Sequence, residues 1–274
     1  MPALKWEDHL MVYEKWKSVH IPKPMASTCQ WERSFIQEWD VDTPHIICLY
    51  HLGMHAQIPR VLAEQGLCFD ILMDRHVFEQ QQTQLIQLQT ELNRNEREYR
   101  FLMSDDPQVL LKARTAIKKG KHLLVFADGN SGTTESLGKK LRIDFLDADI
   151  YVRKGIALLS WLLQVPVLPM THTARDGRYR LSVGEEICIQ HHELRDSYLY
   201  RCMQQLYDFL AIEIRDFPWK WECWSYLHEM NCYTIGHPPT TDITNQSADV
   251  GLIDIQLGGT KGVFCRKYFC YSRR

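Results

Sequence analysis

The sequence predicts an α/β fold, a single domain with a central mixed β-sheet flanked by helices. Short apolar runs recur along the chain: Ile46 to Tyr50, Cys68 to Met73, His122 to Phe126 and Val165 to Met170. Segments with apolar residues at helical spacing lie between them, so strands and helices alternate. The chain has 274 residues and a hydrophobic fraction of 45%, enough for one large core.

Residues 1–40 read as two tryptophan-rich helical pieces, broken at Ile21-Pro22-Lys23-Pro24. Ile46 to Tyr50 is a buried strand that runs into His51, and Ala56 to Gln65 suits a helix. Cys68 to Met73 is the second strand. Gln80 to Arg97, rich in glutamine, reads as a long exposed helix, and Arg100 to Met103 as a short strand. Pro107 to Lys119 is helical: proline suits its first turn, and Gly120 stops it. His122 to Phe126 is the third buried strand. Gly155 to Gln164 is an apolar helix. Val165 to Met170 contains Pro166 and Pro169, which predicts a strand near a sheet edge or one entering from a bend. Tyr179 to Val183 and Glu186 to Ile189 read as shorter strands, and Tyr198 to Ile214 as a long amphipathic helix. The domain spans 41–236. Residues 237–274 form a polar linker and an aromatic, basic tail.

Several functions are disfavoured by composition. A net charge of −2 gives no basic field for nucleic acid. No stretch approaches the ~20 apolar residues of a membrane span. The opening is polar, without a signal-peptide core. The expectation is a cytoplasmic protein, with peripheral contact at the inner membrane left open. Nine cysteines lie from Cys29 to Cys270 without paired C-x-x-C spacing, so neither a zinc site nor a disulfide framework is expected. G-x-G-x-x-G and Walker-type loops are absent, as are H-E-x-x-H and the G-x-S-x-G elbow.

The chemistry centres on His51. A histidine at the carboxyl end of a buried strand stands where open α/β sheets bind ligands. Its imidazole suits proton transfer near neutral pH. Gly53 and His55 follow closely. The second candidate loop, Asp128-Gly129-Asn130-Ser131, also follows a buried strand. Its backbone N–H groups and the side chains of Asn130 and Ser131 could meet an oxyanion or phosphate, and Asp128 could hold His51 or an acceptor. Polar residues are also expected in such a turn for structural reasons alone.

Three ordered segments, His51-Leu52-Gly53, Phe126 to Ser131 and Val165-Pro166-Val167-Leu168-Pro169, resemble the lysophospholipid acyltransferase superfamily. Order and spacing are most similar to its lipid A late acyltransferase branch, including relatives of natural-product pathways. The likeness runs from about Cys48 to Trp224 and includes Phe145 to Met170 and Pro218-Trp219-Lys220-Trp221. The resemblance implies an acyltransferase that takes a fatty or polyketide acyl group from acyl carrier protein or acyl-CoA. The acceptor would be a small-molecule or lipid hydroxyl or amine, with no cofactor or metal. His51 would be the general base, Asp128 a second catalytic group, and Gly53, His55, Gly129, Asn130 and Ser131 substrate contacts. The basic face Lys112, Arg114, Lys118 and Lys119 would meet an acidic carrier.

The chain departs from the family at the acid that follows the histidine after four intervening residues. Ala56 stands there. Three readings stay open. Asp128, or failing it Asp74, orients His51. His55 shares the chemistry, although the same count from it reaches Arg60. Or the chain binds an acyl group without transferring it. A thioesterase or cyclase using the same histidine is a further alternative.

Overall fold

The computed structural model describes residues 30–31, 39–93, 97–129, 140–146, 148–175, 178–226, 252–257, 260–265 and 270–273. The chain divides into two compact units, Met1–Met230 and Asn231–Arg274. In chain order the first unit contains strand β1 (Gln30–Trp31), β2 (Ile46–Leu49), helix α1 (Ile58–Glu64) and β3 (Phe69–Met73). Then come α2 (Arg75–Gln80), α3 (Gln82–Leu92), β4 (Phe101–Met103), α4 (Val109–Lys118) and β5 (His122–Phe126). β6 (Lys140–Phe145), β7 (Ala148–Arg153), α5 (Gly155–Leu163), β8 (Val167–Arg175), β9 (Arg178–Val183) and α6 (Arg195–Asp216) complete it. In the second unit, β10 (Leu252–Leu257), β11 (Thr260–Cys265) and β12 (Cys270–Arg273) form an antiparallel sheet of three strands.

Seven strands of the first unit form one sheet in the order β1-β9-β8-β2-β5-β3-β4. From β8 to β4 every neighbouring pair is parallel; β9 runs antiparallel to β8, and β1 parallel to β9. The fold is therefore α/β, with a central, mostly parallel sheet flanked by helices. β2 is buried along its whole length, as a strand covered on both faces must be.

Alternate residues of β2 serve opposite faces. Ile47 and Leu49 pack with Ile58, Val61 and Leu62 of α1. Ile46 and Cys48 belong to the other core, with Ala113 and Ala116 of α4, Ala157 of α5, and Leu199, Leu206 and Leu210 of α6. The chain thus leaves β2 toward one face, through α1, and leaves β5 toward the other, through the β6–β7 hairpin and α5. β2 and β5 are neighbours, paired from Ile46 with Leu123 to Leu49 with Phe126. Their carboxyl ends flank a topological switch point, where such sheets form a ligand crevice.

Several expectations need correction. β8 is not at an edge but lies between β2 and β9. Proline is tolerated because alternate N–H groups of a strand point the same way. The N–H of Val167 donates to Ile187, so the missing donor of Pro169 points to that side too. β9 pairs only from Met170 onward, and no ladder bond is lost. Glu186 to Ile189 is not a strand; it contributes one bridge, Ile187 to Val167. The glutamine-rich helix is interrupted at Gln81 and ends at Leu92. The β6–β7 hairpin was not anticipated, although Leu141, Ile143 and Phe145 alternate with charged residues. Gln30–Trp31 is strand, where a helical piece was expected. Most of residues 1–40 lie outside the described residues, Trp6 and Trp16 among them.

The other end of the sheet is held by charge. Asp70 of β3 is fully buried and takes hydrogen bonds from Lys121 Nζ at 2.9 Å and Arg100 Nη2 at 2.6 Å. Removing one partner of a buried ionic group leaves the others uncompensated. Asp70→Ala should therefore cost about 3–5 kcal/mol, measured by urea unfolding, and a loss under 1 kcal/mol would contradict the assignment.

Candidate active site

His51 stands two residues beyond the carboxyl end of β2, and Asp128 two residues beyond β5. The register that pairs Leu49 with Phe126 continues one step, Ala127 N–H donating to Leu49 O at 2.8 Å. This brings the next residues of both strands side by side. His51 Nδ1 lies 2.8 Å from Asp128 Oδ1, and the backbone N–H of His51 donates to Asp128 Oδ2 at 2.9 Å. Asp128 is 0% exposed, while the His51 side chain keeps 27% of its surface. A carboxylate accepts only, so Nδ1 carries the proton and Nε2 is the basic nitrogen.

A third segment completes the arrangement. After α6 the chain enters two short 3-10 turns, Pro218–Lys220 and Glu222–Tyr226. Trp221, between them, is buried, and its Nε1–H donates to Asp128 Oδ2 at 2.8 Å. The thiol of Cys223 lies 3.4 Å from the same oxygen. Backbone bonds tie this segment to the His51 turn: Gly53 N–H to Lys220 O and Glu222 N–H to His51 O, both 2.9 Å. Leu52 and Trp221 form an isolated antiparallel bridge.

The turn is also held from β8. Met54 N–H donates to His172 Nε2 at 2.8 Å. The His172 ring stacks against Trp31 and Tyr179 at centroid distances of 5.9 and 5.7 Å, and those two rings also meet each other at 5.3 Å. Gly53 adopts φ +49°, and a Cβ there would come within 3.0 Å of His172 Cε1. Glycine is needed at this position both for the conformation and for the close approach. Gly129 differs: a Cβ there would meet only Phe126 O, at 3.9 Å.

His55 lies in a 3-10 turn beside His51, ring centroids 5.2 Å apart, with Phe126 against both. Its Nδ1 is 3.8 Å from Glu222 Oε1. Ala56 is exposed. Asp74 does not pair with His51; it caps α2, accepting from His76 N–H at 2.8 Å. Arg60 pairs with Glu91. Asn130 and Ser131 lie outside the described residues. A cleft of about 580 Å³ between the β6–β7 hairpin and α6, lined by Asp144, Asp149, Asp208 and Arg215, contains none of these groups.

The electrostatics separate the two neighbouring histidines. Burial works against the His51 imidazolium, but the charge and hydrogen bond of Asp128, with Glu222, outweigh it and hold His51 above its ordinary value. Burial likewise opposes the Asp128 carboxylate, yet His51 and the Trp221 N–H keep it below the usual carboxylate range. His55 is pushed down to about 4, chiefly by burial. His172 is pushed to about 4 by burial and Lys220. His122, at the other end of β5, is also near 4 through burial and His45.

One donor atom each from His51, Asp128 and Cys223 lies within 4.8 Å of the others, a set that could hold a metal ion. As arranged, both Asp128 oxygens already face N–H donors. Trp221, Cys223 and His172 were missed as site residues in the sequence. A tryptophan after a helix gives no local sign of a polar partner, and nothing local links residue 172 or 223 to the loop after β2. Compared with known proteins, the chain matches no family model and no curated protein.

Two outcomes follow. Gly53→Ala should destabilise the domain by about 1–3 kcal/mol through the left-handed backbone and the His172 contact. A change within 0.5 kcal/mol, a rough surface-substitution range, would dismiss that role. His55, His122 and His172 have folded pKa values near 4 against 6.5 unfolded. The unfolded chain then binds up to about three more protons between those values. Stability should be intact above pH 6.5 and fall toward pH 4, by at most about 4 kcal/mol per pH unit. His51, shifted upward, acts oppositely, losing its contribution as pH rises through its folded pKa. Urea midpoints from pH 7 to 4.5 measure the acid limb; a flat profile would mean these rings are not held neutral.

Proposed function

We propose that the chain is an acyltransferase, a divergent relative of the lipid A late acyltransferase branch of the lysophospholipid acyltransferase superfamily. The observation that carries this is the 2.8 Å contact between His51 Nδ1 and buried Asp128 Oδ1. It supplies, from the neighbouring strand, the orienting acid that Ala56 lacks. The ordered motifs support the same reading, as does the position of the pair at a topological switch point.

In the reaction, His51 Nε2 takes the proton of an acceptor hydroxyl or amine. The freed oxygen or nitrogen attacks the thioester carbonyl carbon, and a tetrahedral oxyanion forms. Asp128 stabilises the imidazolium while the oxyanion persists. The oxyanion collapses, the carbon–sulfur bond breaks, and His51 returns the proton to the departing thiolate. Acyl carrier protein or acyl-CoA is the donor, and a small-molecule or lipid hydroxyl or amine the acceptor. Arg114, Lys118 and Lys119 are exposed on α4 and suit an acidic carrier; Lys112 is tied to Asp106. No described helix is long and apolar enough to cross a membrane.

Intact-mass measurement of acyl transfer, with panels of acyl carrier protein and acyl-CoA donors and candidate acceptors, tests the proposal. His51→Ala should abolish transfer, and Asp128→Asn should lower kcat by about 10²–10⁴. Because neutral His51 is the active form and its pKa is raised, kcat/KM should rise with pH through a value above 6.5. In Asp128→Asn burial is opposed only by the charge of Glu222, and that limb should move to lower pH. Acyl loss to water alone would make the protein a thioesterase. No turnover with any donor, together with unchanged acyl binding in His51→Ala, would remove the enzyme assignment.

A further inference from the structure

We infer that Trp221 is a positioning residue for the His51–Asp128 pair, so that the segment after α6 sets which nitrogen of His51 is basic. Asp128 has two oxygens and no freedom to share them. Oδ2 accepts from the His51 backbone N–H at 2.9 Å and from Trp221 Nε1–H at 2.8 Å, leaving Oδ1 to the imidazole at 2.8 Å. The carboxylate is 0% exposed, so no solvent substitutes for a lost donor. Without the indole N–H, Oδ2 keeps one N–H donor and the weak thiol of Cys223. The carboxylate can then rotate, and the imidazole loses its fixed acceptor.

Trp221 is itself built in. Its ring meets Phe145 at 5.6 Å and Trp224 at 4.9 Å, and the bridge to Leu52 joins it to the His51 turn. Three separate parts of the chain therefore meet at one carboxylate: the ends of β2 and β5, and a segment that reaches it through Trp221, 93 residues beyond Asp128. The exposed position of Ala56 fits this design, since the acid and its support both come from elsewhere.

This inference rests on the pairing of His51 with Asp128 and not on the identity of the substrate. The test is the tautomer of His51 in the full chain, read from ring ¹⁵N shifts of histidine-labelled protein, assigned with His51→Gln and recorded where the ring is neutral. The wild-type protein should hold the proton on Nδ1. Trp221→Phe should give a mixture of both tautomers. It should also lower kcat for acyl transfer by about ten- to a hundred-fold, as expected for loss of one hydrogen bond to a charged group, with KM little changed. Trp224→Phe is the control: it removes another indole N–H from the same segment, the one donating to Pro218 O at 2.6 Å, without touching Asp128. It should leave the tautomer as in wild type. If Trp221→Phe does not fold, site-specific benzothienylalanine at 221, which replaces only N–H by sulfur, gives the same comparison. A His51 ring that stays wholly Nδ1-protonated in either Trp221 variant overturns the inference. A shifted tautomer in a chain that transfers no acyl group would uphold the positioning role and reject the acyltransferase assignment alone.

Discussion

The buried carboxylate of Asp128 is the constraint around which the site is organised. A charge with no solvent exposure is tolerable only where hydrogen bonds and an opposite charge compensate it. Here the compensation comes from a backbone N–H, an indole N–H and an imidazole. The donors come from two segments, the turn after β2 and the stretch after α6, which backbone hydrogen bonds also join. Satisfying one carboxylate therefore fixes the turn after β2, the end of β5 and the entry to the last 3-10 turn.

The same arrangement explains why two adjacent histidines have opposite properties. His51 and His55 have rings 5.2 Å apart, and burial disfavours the charged form of both. Only His51 has a carboxylate in hydrogen-bonding contact with its ring, and its proton affinity rises while that of His55 falls. Neighbouring groups whose environments separate their pKa values mark acid–base assignments. By that argument His51 is the one of the two suited to proton transfer, and neutral His55 is a polar wall beside Phe126.

The sheet supplies the rigidity on which this depends. Parallel strands buried on both faces hold their register strictly, because a one-residue slip would turn every side chain to the other core. The pairing of Leu49 with Phe126 thus dictates that His51 and Asp128 emerge together. The turn between them and β8 is set by sterics: Gly53, with its left-handed backbone, lets His172 approach and hold Met54.

The strands β2 to β5, β8 and β9, and most helices, were legible in the sequence because their signals are local. Four-residue apolar runs, a proline in the first turn and a glycine after the last act over a few positions. His51, Gly53 and Asp128 were legible as candidates for the same reason: each stands at the end of such a run. The interior place of β8 was hidden, since whether Pro169 loses a ladder bond depends on where β9 ends. Which acid serves His51 could not be read locally either; the count that reaches Ala56 is a distance along the chain, whereas Asp128 is near only because β2 and β5 are neighbours. Trp221 and Cys223 join the site through the return of the chain after α6, and no spacing in the sequence encodes that return. The sequence by itself determined the elements and the residues capable of chemistry. The tertiary structure decided which of them share a proton, because hydrogen bonds of 2.8 Å depend on strand order and register.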